Sequence, residues 1–399
     1  MTHLPQGWEV KTIEDVCKNS NSNLALKDIK DKSGDYPVFG ASGIVGYVDF
    51  FHKAQECLGI IKDGAGVGRV FVLPKQSSVI GTLSYLENNE TTNLKYLFYF
   101  LKNLDFSKYI LGSAIPHIYF RDYKKEQIPL PPLEEQMRIV KILDSAFEKI
   151  DKSVELLKAN LANLDELAQS VLDRAFNPLG DSIDSTESTQ NPSTHDTQSP
   201  YPLPQHWEWK TLGEIGEIIT GSTPSKNNPK FYGNDYPLFK PSDLGSGNTI
   251  KASDNLSKLG FENARKLPKN TLLVVCIGAS IGKIGLSGII GSCNQQINAI
   301  IPSPNVLSKY LFFVCHSKYF QSILKKNASQ TTLPIINKTE FSKLEIPLPK
   351  DIKEQEQIAM HLDSVFDKIQ KLKELYNAQL QDYEELKQSL LNQAFSGKL

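Results

Sequence analysis

The residues that come closest to a chemical motif are two glycine-rich stretches, DGAGVGR at 63–69 and IGASIGK at 277–283. Glycines this dense let backbone approach a phosphate, and the first stretch resembles the glycine loop of a dinucleotide or S-adenosylmethionine site. Such a loop needs a helix after it and an acidic residue about twenty positions on. Here RVFVLP follows, which reads as a strand, and the second stretch has Ser280 in place of Gly66. Both therefore read as tight turns between strands. One further reading is a tip loop close to DNA, since glycines remove bulk and Arg69 or Lys283 follows at once. IGASIGK also falls one residue short of a phosphate-binding P-loop, and Ile284 stands where Ser or Thr would hold magnesium, which excludes nucleotide binding there.

Other possible chemistry fails on spacing. NNPKF (227–231) is near an amino-methyltransferase motif, but Lys230 takes the place of a proline that must stiffen the turn. The seven histidines form no HxxxH pair, no Gly-x-Ser-x-Gly occurs, and the five cysteines contain no CxxC. No cofactor, metal site or catalytic constellation is expected. Polar loops remain. GSAIPHIYFRDYKKEQIPLP (112–131) aligns with ASQTTLPIINKTEFSKLEIPLP (328–349) around Pro116 and Pro334. Ser113, His117, Tyr119 and Arg121 in one, and Ser329, Gln330 and Thr331 in the other, offer donors and acceptors suited to base edges, unless these are plain surface loops. Gln295 and Gln296 in NQQIN could read adenine or line a polar strand face. Lys62 and Lys240 join Arg69 and Lys283 as DNA-binding candidates.

The elements that must position these loops occur twice. LPQGWEVKTIEDV (4–16) returns as LPQHWEWKTLGEI (203–215), DYPVF (35–39) as DYPLF (235–239), and YLFYF (96–100) as YLFFV (310–314). The offset grows from 199 to 219 along the copy and then holds constant from Glu135 and Glu354 onward. Length is free in the globular part and fixed in the run that follows.

That run carries heptads. Leu143, Ile150, Leu157, Leu164 and Val171 recur every seven residues in the first copy, and Leu362, Ile369, Tyr376, Tyr383 and Leu390 in the second, flanked by Val365, Leu372 and Leu386. Five heptads without proline predict a helix of roughly 50 Å at 1.5 Å per residue. Two such helices in one chain most simply pair with each other; the competing arrangement lays each on its own domain. The IPLP before each run stops the domain and starts the helix, because proline lacks a donor and restricts the residue before it.

The expected organisation is a globular domain over 1–131, a spacer helix over 132–176, a flexible acidic linker over 177–202, a second domain over 203–349 and a second spacer helix over 350–399. The fold class is α+β, with two mixed α/β domains, two long helices forming an antiparallel coiled coil, and a pseudo-twofold internal repeat. A net charge of −1 hides a partition: residues 203–345 hold 16 Lys and Arg against 9 Asp and Glu. That domain can meet phosphate, while residues 1–127, with 15 against 14, must cluster their bases on one face. The apolar window 272–290 is broken by glycines and Lys283 and reads as strand–turn–strand rather than as a membrane span. The opening MTHLPQGWEV has no signal-peptide pattern, and scattered cysteines fit a reducing cytoplasm.

With the repeated starts, the repeated IPLPPLEEQMRIVKILD and IPLPKDIKEQEQIAMHLD, and the order domain, helix, domain, helix, the chain resembles the specificity subunit of type I restriction-modification systems. The resemblance implies two target recognition domains, each reading half of a bipartite double-stranded DNA sequence. It also implies a coiled coil that acts as a ruler between half-sites. The implied partners are two modification (methyltransferase) subunits and, in the full nuclease, restriction subunits. Adenine methylation and ATP-driven cleavage would be theirs, leaving this chain non-catalytic. Two competing readings are a coiled-coil scaffold whose repeated domains bind protein, and a self-contained methyltransferase.

Overall fold

The computed structural model describes residues 4–180, 201–245, 248–249, 251–329 and 333–399. Most of the linker expected at 177–202, together with Gln330 and Thr331, lies outside the described residues. Two compact units result, one of Met1–Ala159 with Tyr376–Leu399 and the other of Asn160–Leu375, so each unit takes part of both long helices.

The same local chemistry starts each globular part. In KTIED, the Asp15 carboxylate accepts from the Thr12 backbone N–H at 2.8 Å and caps the short helix Ile13–Val16. In KTLGE, Glu214 does the same for Thr211 at 2.8 Å and caps Leu212–Ile215. The strand before each cap pairs antiparallel with the proline strand at the other end of the domain: Glu9–Thr12 with Gln127–Leu130, and Trp207–Thr211 with Glu345–Pro349. IPLP is thus an edge strand as well as a stop. A two-stranded ribbon tolerates proline because half of its N–H groups face no partner.

In the first unit an antiparallel sheet runs in the order Cys17–Asn21, Leu83–Asn88, Cys57–Ile61, Val70–Leu73, beside a smaller sheet of Gly43–Val48, Tyr36–Gly40 and Ser78–Val79. In the second unit Gly216–Thr220, Ile297–Pro302, Leu272–Val275 and Ile284–Ser287 repeat that order, extended by Asn248–Thr249. The window 272–290 is strand–turn–strand, as its glycines require. One helix per copy, Leu94–Asn103 or Ser308–His316, packs its apolar face between sheet and long helix.

The long helices span Leu133–Phe176 and Ile352–Phe395. Each has 44 residues, or about 66 Å. They pair antiparallel within each unit. In the first, Lys387 Nζ meets Asp151 at 2.6 Å, while Arg138, nearer the start of the first helix, donates to the Leu399 carbonyl at 2.7 Å. In the second, Lys373 pairs with Asp165. Leu143, Ile150, Leu157 and Leu164 are buried, but past them the buried positions become Ala168, Leu172 and Phe176, and Val171 is only half-buried. The second helix shifts likewise: Leu362 and Ile369 are buried, Tyr376, Tyr383 and Leu390 are half-buried, and Leu391 and Ala394 are buried instead. A 3.6-residue turn drifts against a seven-residue repeat, and these helices follow the turn. Leu372 and Leu386, flanking positions of the heptad pattern, are exposed.

A buried glutamine locks each globular part to its helix. Gln136 Oε1 accepts from the Asn93 N–H at 2.8 Å, while its Nε2 donates to the carbonyls of Thr91 at 3.0 Å and Pro131 at 2.8 Å. Gln355 repeats all three contacts, with Leu307 N–H at 2.9 Å and the carbonyls of Asn305 at 3.2 Å and Pro349 at 2.9 Å. Tyr96 and Tyr310 add a hydroxyl bond to the carbonyls of Pro129 and Pro347, at 2.6 and 2.7 Å.

Candidate nucleic-acid interface

The glycine turns and the proline loops, some fifty residues apart in sequence, meet in both copies. In the first, Gly64 N–H donates to the Pro116 carbonyl at 2.8 Å and Ile118 N–H to that of Lys62 at 2.9 Å. In the second, Gly278 donates to Pro334 at 2.9 Å and Ile336 to Cys276 at 3.0 Å. Gly64 and Gly278 have φ of 88° and 93°, a left-handed conformation that side chains resist, which aims these amides at the neighbouring loop. The result is a two-loop ridge on each domain. Ile115 and Leu333, exposed to 67% and 53%, stand on it just before the prolines.

The sequence-based site residues fall into three groups. His117, Tyr119 and Arg121 cluster on the first ridge: the His117 and Tyr119 rings meet edge to face at 5.0 Å, and the Arg121 guanidinium lies 4.5 Å from the Tyr119 centroid. Ser113 and Lys283 are exposed on their loops, and Lys62 lies below the first turn, 4.0 Å from Asp63. A second group has its polar atoms engaged within the protein, although Arg69 and Ser329 are exposed. Arg69 donates to the carbonyls of Ala41 at 3.1 Å and Gly66 at 3.4 Å, so its guanidinium braces the turn. Lys240 is paired with Asp254 at 2.5 Å. Gln296 accepts from Asn294 at 2.9 Å, and Ser329 Oγ accepts from Ile335 N–H at 3.0 Å. Gln295, which accepts from Thr223 at 2.8 Å, belongs with the third group, in a groove.

That groove lies beside each ridge, and sequence reading did not find it. Its floor is the first strand of the main sheet. In the first unit Asn19 and Asn21 form it, with Ser84 of the neighbouring strand beside them and Lys62, Arg121 and Lys124 around. In the second unit Thr220 takes the place of Asn21, with Gln295, Arg265, Lys266 and Lys338 around it. Most of these side chains are basic or uncharged, and Glu217 is the acid lining the second groove. The available signal was the strand CKNSN, whose alternating Asn19 and Asn21 put polar groups on one face.

The five cysteines are all buried. Burial pushes the thiols of Cys17, Cys57, Cys276 and Cys293 up to about 12, and that of Cys315 higher still, so they stay protonated. Among the described residues no group of His, Cys, Asp or Glu is arranged to hold a metal, and no helix is long and apolar enough to cross a membrane.

One mixed α/β domain occurring twice, each copy with a basic groove, a two-loop ridge and part of an antiparallel helix pair, defines a duplicated binding protein. The chain belongs to the type I restriction modification DNA specificity domain family, whose model matches residues 5–163 and again 204–381. The specificity subunit of the Escherichia coli enzyme EcoR124I/EcoR124II is 25% identical, aligning over 90% of this chain and 87% of its own length. That of Methanocaldococcus jannaschii MjaVIII is also 25% identical, over 99% and 94%. A shorter match to the Haemophilus influenzae HindI specificity subunit reaches 36%, covering 37% of this chain and 33% of that protein. Among solved structures, a chain from a study of complex assembly and conformational transition in the type I R-M system covers all of both chains, with a TM-score of 0.75 and 20% identity. The HsdS subunit of Thermoanaerobacter tengcongensis gives 0.56 and 20%, over 99% of this chain and 98% of that one. These structures share the fold.

Proposed function

We propose that this chain is the DNA specificity subunit of a type I restriction-modification complex, with recognition domains over 1–131 and 203–349 each reading one half of a bipartite double-stranded target. The observation that carries this reading is the match of one DNA specificity family model to both copies. The basic groove repeated beside the same ridge supports it, because lysine and arginine bind duplex phosphate by releasing counterions. The spacer helices over 132–176 and 350–399 set the gap between half-sites, and the linker over 177–202 joins the copies. Two modification subunits dock on the repeated surfaces, restriction subunits join that core, and the assembly works in the cytoplasm. Methyl transfer and ATP-driven cleavage belong to those partners; this chain supplies the address.

A graft tests it. Residues 203–345 are replaced by the corresponding segment of a relative with a different target, and the genome of a host expressing the chain with its methyltransferase partner is sequenced for methylation. One half of the methylated motif is expected to change while the other stays. A wholly new motif, or an unchanged one, defeats the two-reader reading.

A further inference from the structure

One cross-strand pair, whose outer member lines the groove, is polar in both copies yet differs in identity between them. Asn21 faces Ser84 across the first main sheet, and Ser84 Oγ donates to Asn21 Oδ1 at 2.8 Å. At the same place in the second sheet Thr220 faces Asn298, and Thr220 Oγ1 donates to Asn298 Oδ1 at 2.7 Å. The inner members, Ser84 and Asn298, are buried, at 4% and 2% exposure, while Asn21 is exposed and Thr220 half-exposed. The inner residue therefore fixes which hydrogen-bonding face the outer one shows to the groove. With its carbonyl oxygen occupied by Ser84, Asn21 presents amide N–H donors. With its hydroxyl proton committed to Asn298, Thr220 presents oxygen lone pairs.

We infer that this pair is a specificity-determining position of each domain, with Asn21 reading an acceptor on a base edge of one half-site and Thr220 reading an amino donor in the other. In the major groove the acceptors are guanine O6 and N7, adenine N7 and thymine O4, and the donors are adenine N6 and cytosine N4. Two further observations point the same way. Asn19, on the same strand face as Asn21, also lines this groove, and its Oδ1 has no hydrogen-bond partner among the described residues. In each copy the outer member also lines a groove with cations: exposed Arg121, 3.4 Å from Asp122, and Lys124, paired with Glu14 at 2.7 Å, in one, and Lys266 and Lys338 in the other. A pair kept only for sheet stability has no reason to put its outer member in a cation-lined groove in both copies and to show opposite hydrogen-bonding faces there.

The inference rests on the reading of the chain as a DNA specificity subunit. Its test uses the full chain with its methyltransferase partner, first to establish the methylated motif of the unsubstituted protein, then to compare variants. Asn21→Asp turns a donor into an acceptor at constant size. The double change Asn21→Thr with Ser84→Asn imports the second copy's pair into the first using strand-compatible residues, so a folded reader is retained even if the aspartate is not tolerated. Thr220→Val removes the acceptor from the other domain. Each is expected to relax or switch one base position, in its own half-site only, by roughly ten- to a hundredfold in methylation kcat/KM between the original and substituted base. Thermally stable variants that methylate the original motif with unchanged discrimination overturn the inference and leave the parent reading intact. An unsubstituted chain that directs no motif-specific methylation defeats the parent reading instead.

Discussion

Gln136 Oε1 accepts the Asn93 backbone N–H at 2.8 Å, and 219 residues later Gln355 accepts that of Leu307 at 2.9 Å. Each glutamine is fully buried and uses all of its near polar capacity on backbone, binding the turn before a packed helix, the proline strand and the first turn of a long helix into one joint. A rigid joint is what a reader on a spacer requires, because an angular error there is carried to every side chain beyond it.

Gln136→Leu is expected to lower stability by about 1–3 kcal/mol, since it leaves the Asn93 N–H and two carbonyls without partners in a dry site. Gln136→Glu should be at least as damaging near neutral pH, because a carboxylate facing the Thr91 and Pro131 carbonyls has no proton to donate. Urea unfolding of the full chain measures both. Equal stability of the leucine variant and the parent sinks the clamp.

The two cations that follow the glycine turns should behave differently. Lys283 is exposed, so Lys283→Ala is expected to weaken DNA binding on all sequences and to flatten the log–log salt dependence by about 0.9. Arg69 is exposed too but braces its own turn through two carbonyls, so Arg69→Ala should loosen the ridge and leave the salt slope in place. Titrations of duplex DNA at several salt concentrations separate the cases; a steeper loss of slope for Arg69 than for Lys283 reverses the assignment.

Register gives a ruler test. Lys387 opposite Asp151 defines which residues of the two helices match, so residues 151–157 and 381–387 form one removable heptad pair. Their joint deletion shortens the spacer by about 10 Å at 1.5 Å per residue, or roughly three base pairs at 3.4 Å each. Methylome sequencing should show both half-motifs retained and the gap reduced. An unchanged gap removes the spacer role. The ion pairs themselves are expected to contribute little, under about 1 kcal/mol, because their carboxylates are exposed.

His316, packed at 4.4 Å from the Phe312 ring, has its pKa lowered by burial. A lowered folded value means the unfolded chain binds the proton more tightly, so the associated stability is complete above the ordinary histidine pKa of about 6.5 and declines as pH falls below it. His316→Gln should flatten the dependence of the urea midpoint between pH 7.5 and 5.5. Parallel curves for the two proteins would assign that dependence elsewhere.

Much of the architecture is written in local chemistry. The duplication, the heptads and the proline stops survive as sequence because each acts through spacing along one element: seven residues for a helix face, one missing N–H for a stop. Even the drift of the buried stripe from Val171 to Leu172 follows from helix geometry already implicit in the length of the run. The glycine turns are legible too, as turns, although not as half of a ridge.

Tertiary structure alone decided where the polar residues go. Arg69 and Lys283 occupy matching motifs and are both exposed, yet Arg69 donates to the carbonyls of Ala41 and Gly66, and no spacing rule gives it those partners. Asn21 and Ser84 are 63 residues apart, and Thr220 and Asn298 are 78 apart; only strand pairing makes each a couple and turns the outer member into a donor or an acceptor. Gln136 and Gln355 read as two more polar helix residues until folding buries them against backbone. Sequence by itself determined the elements and their repetition, because those depend on near neighbours. The hydrogen-bonding faces depend on partners brought from far along the chain, and these exist only in the folded protein.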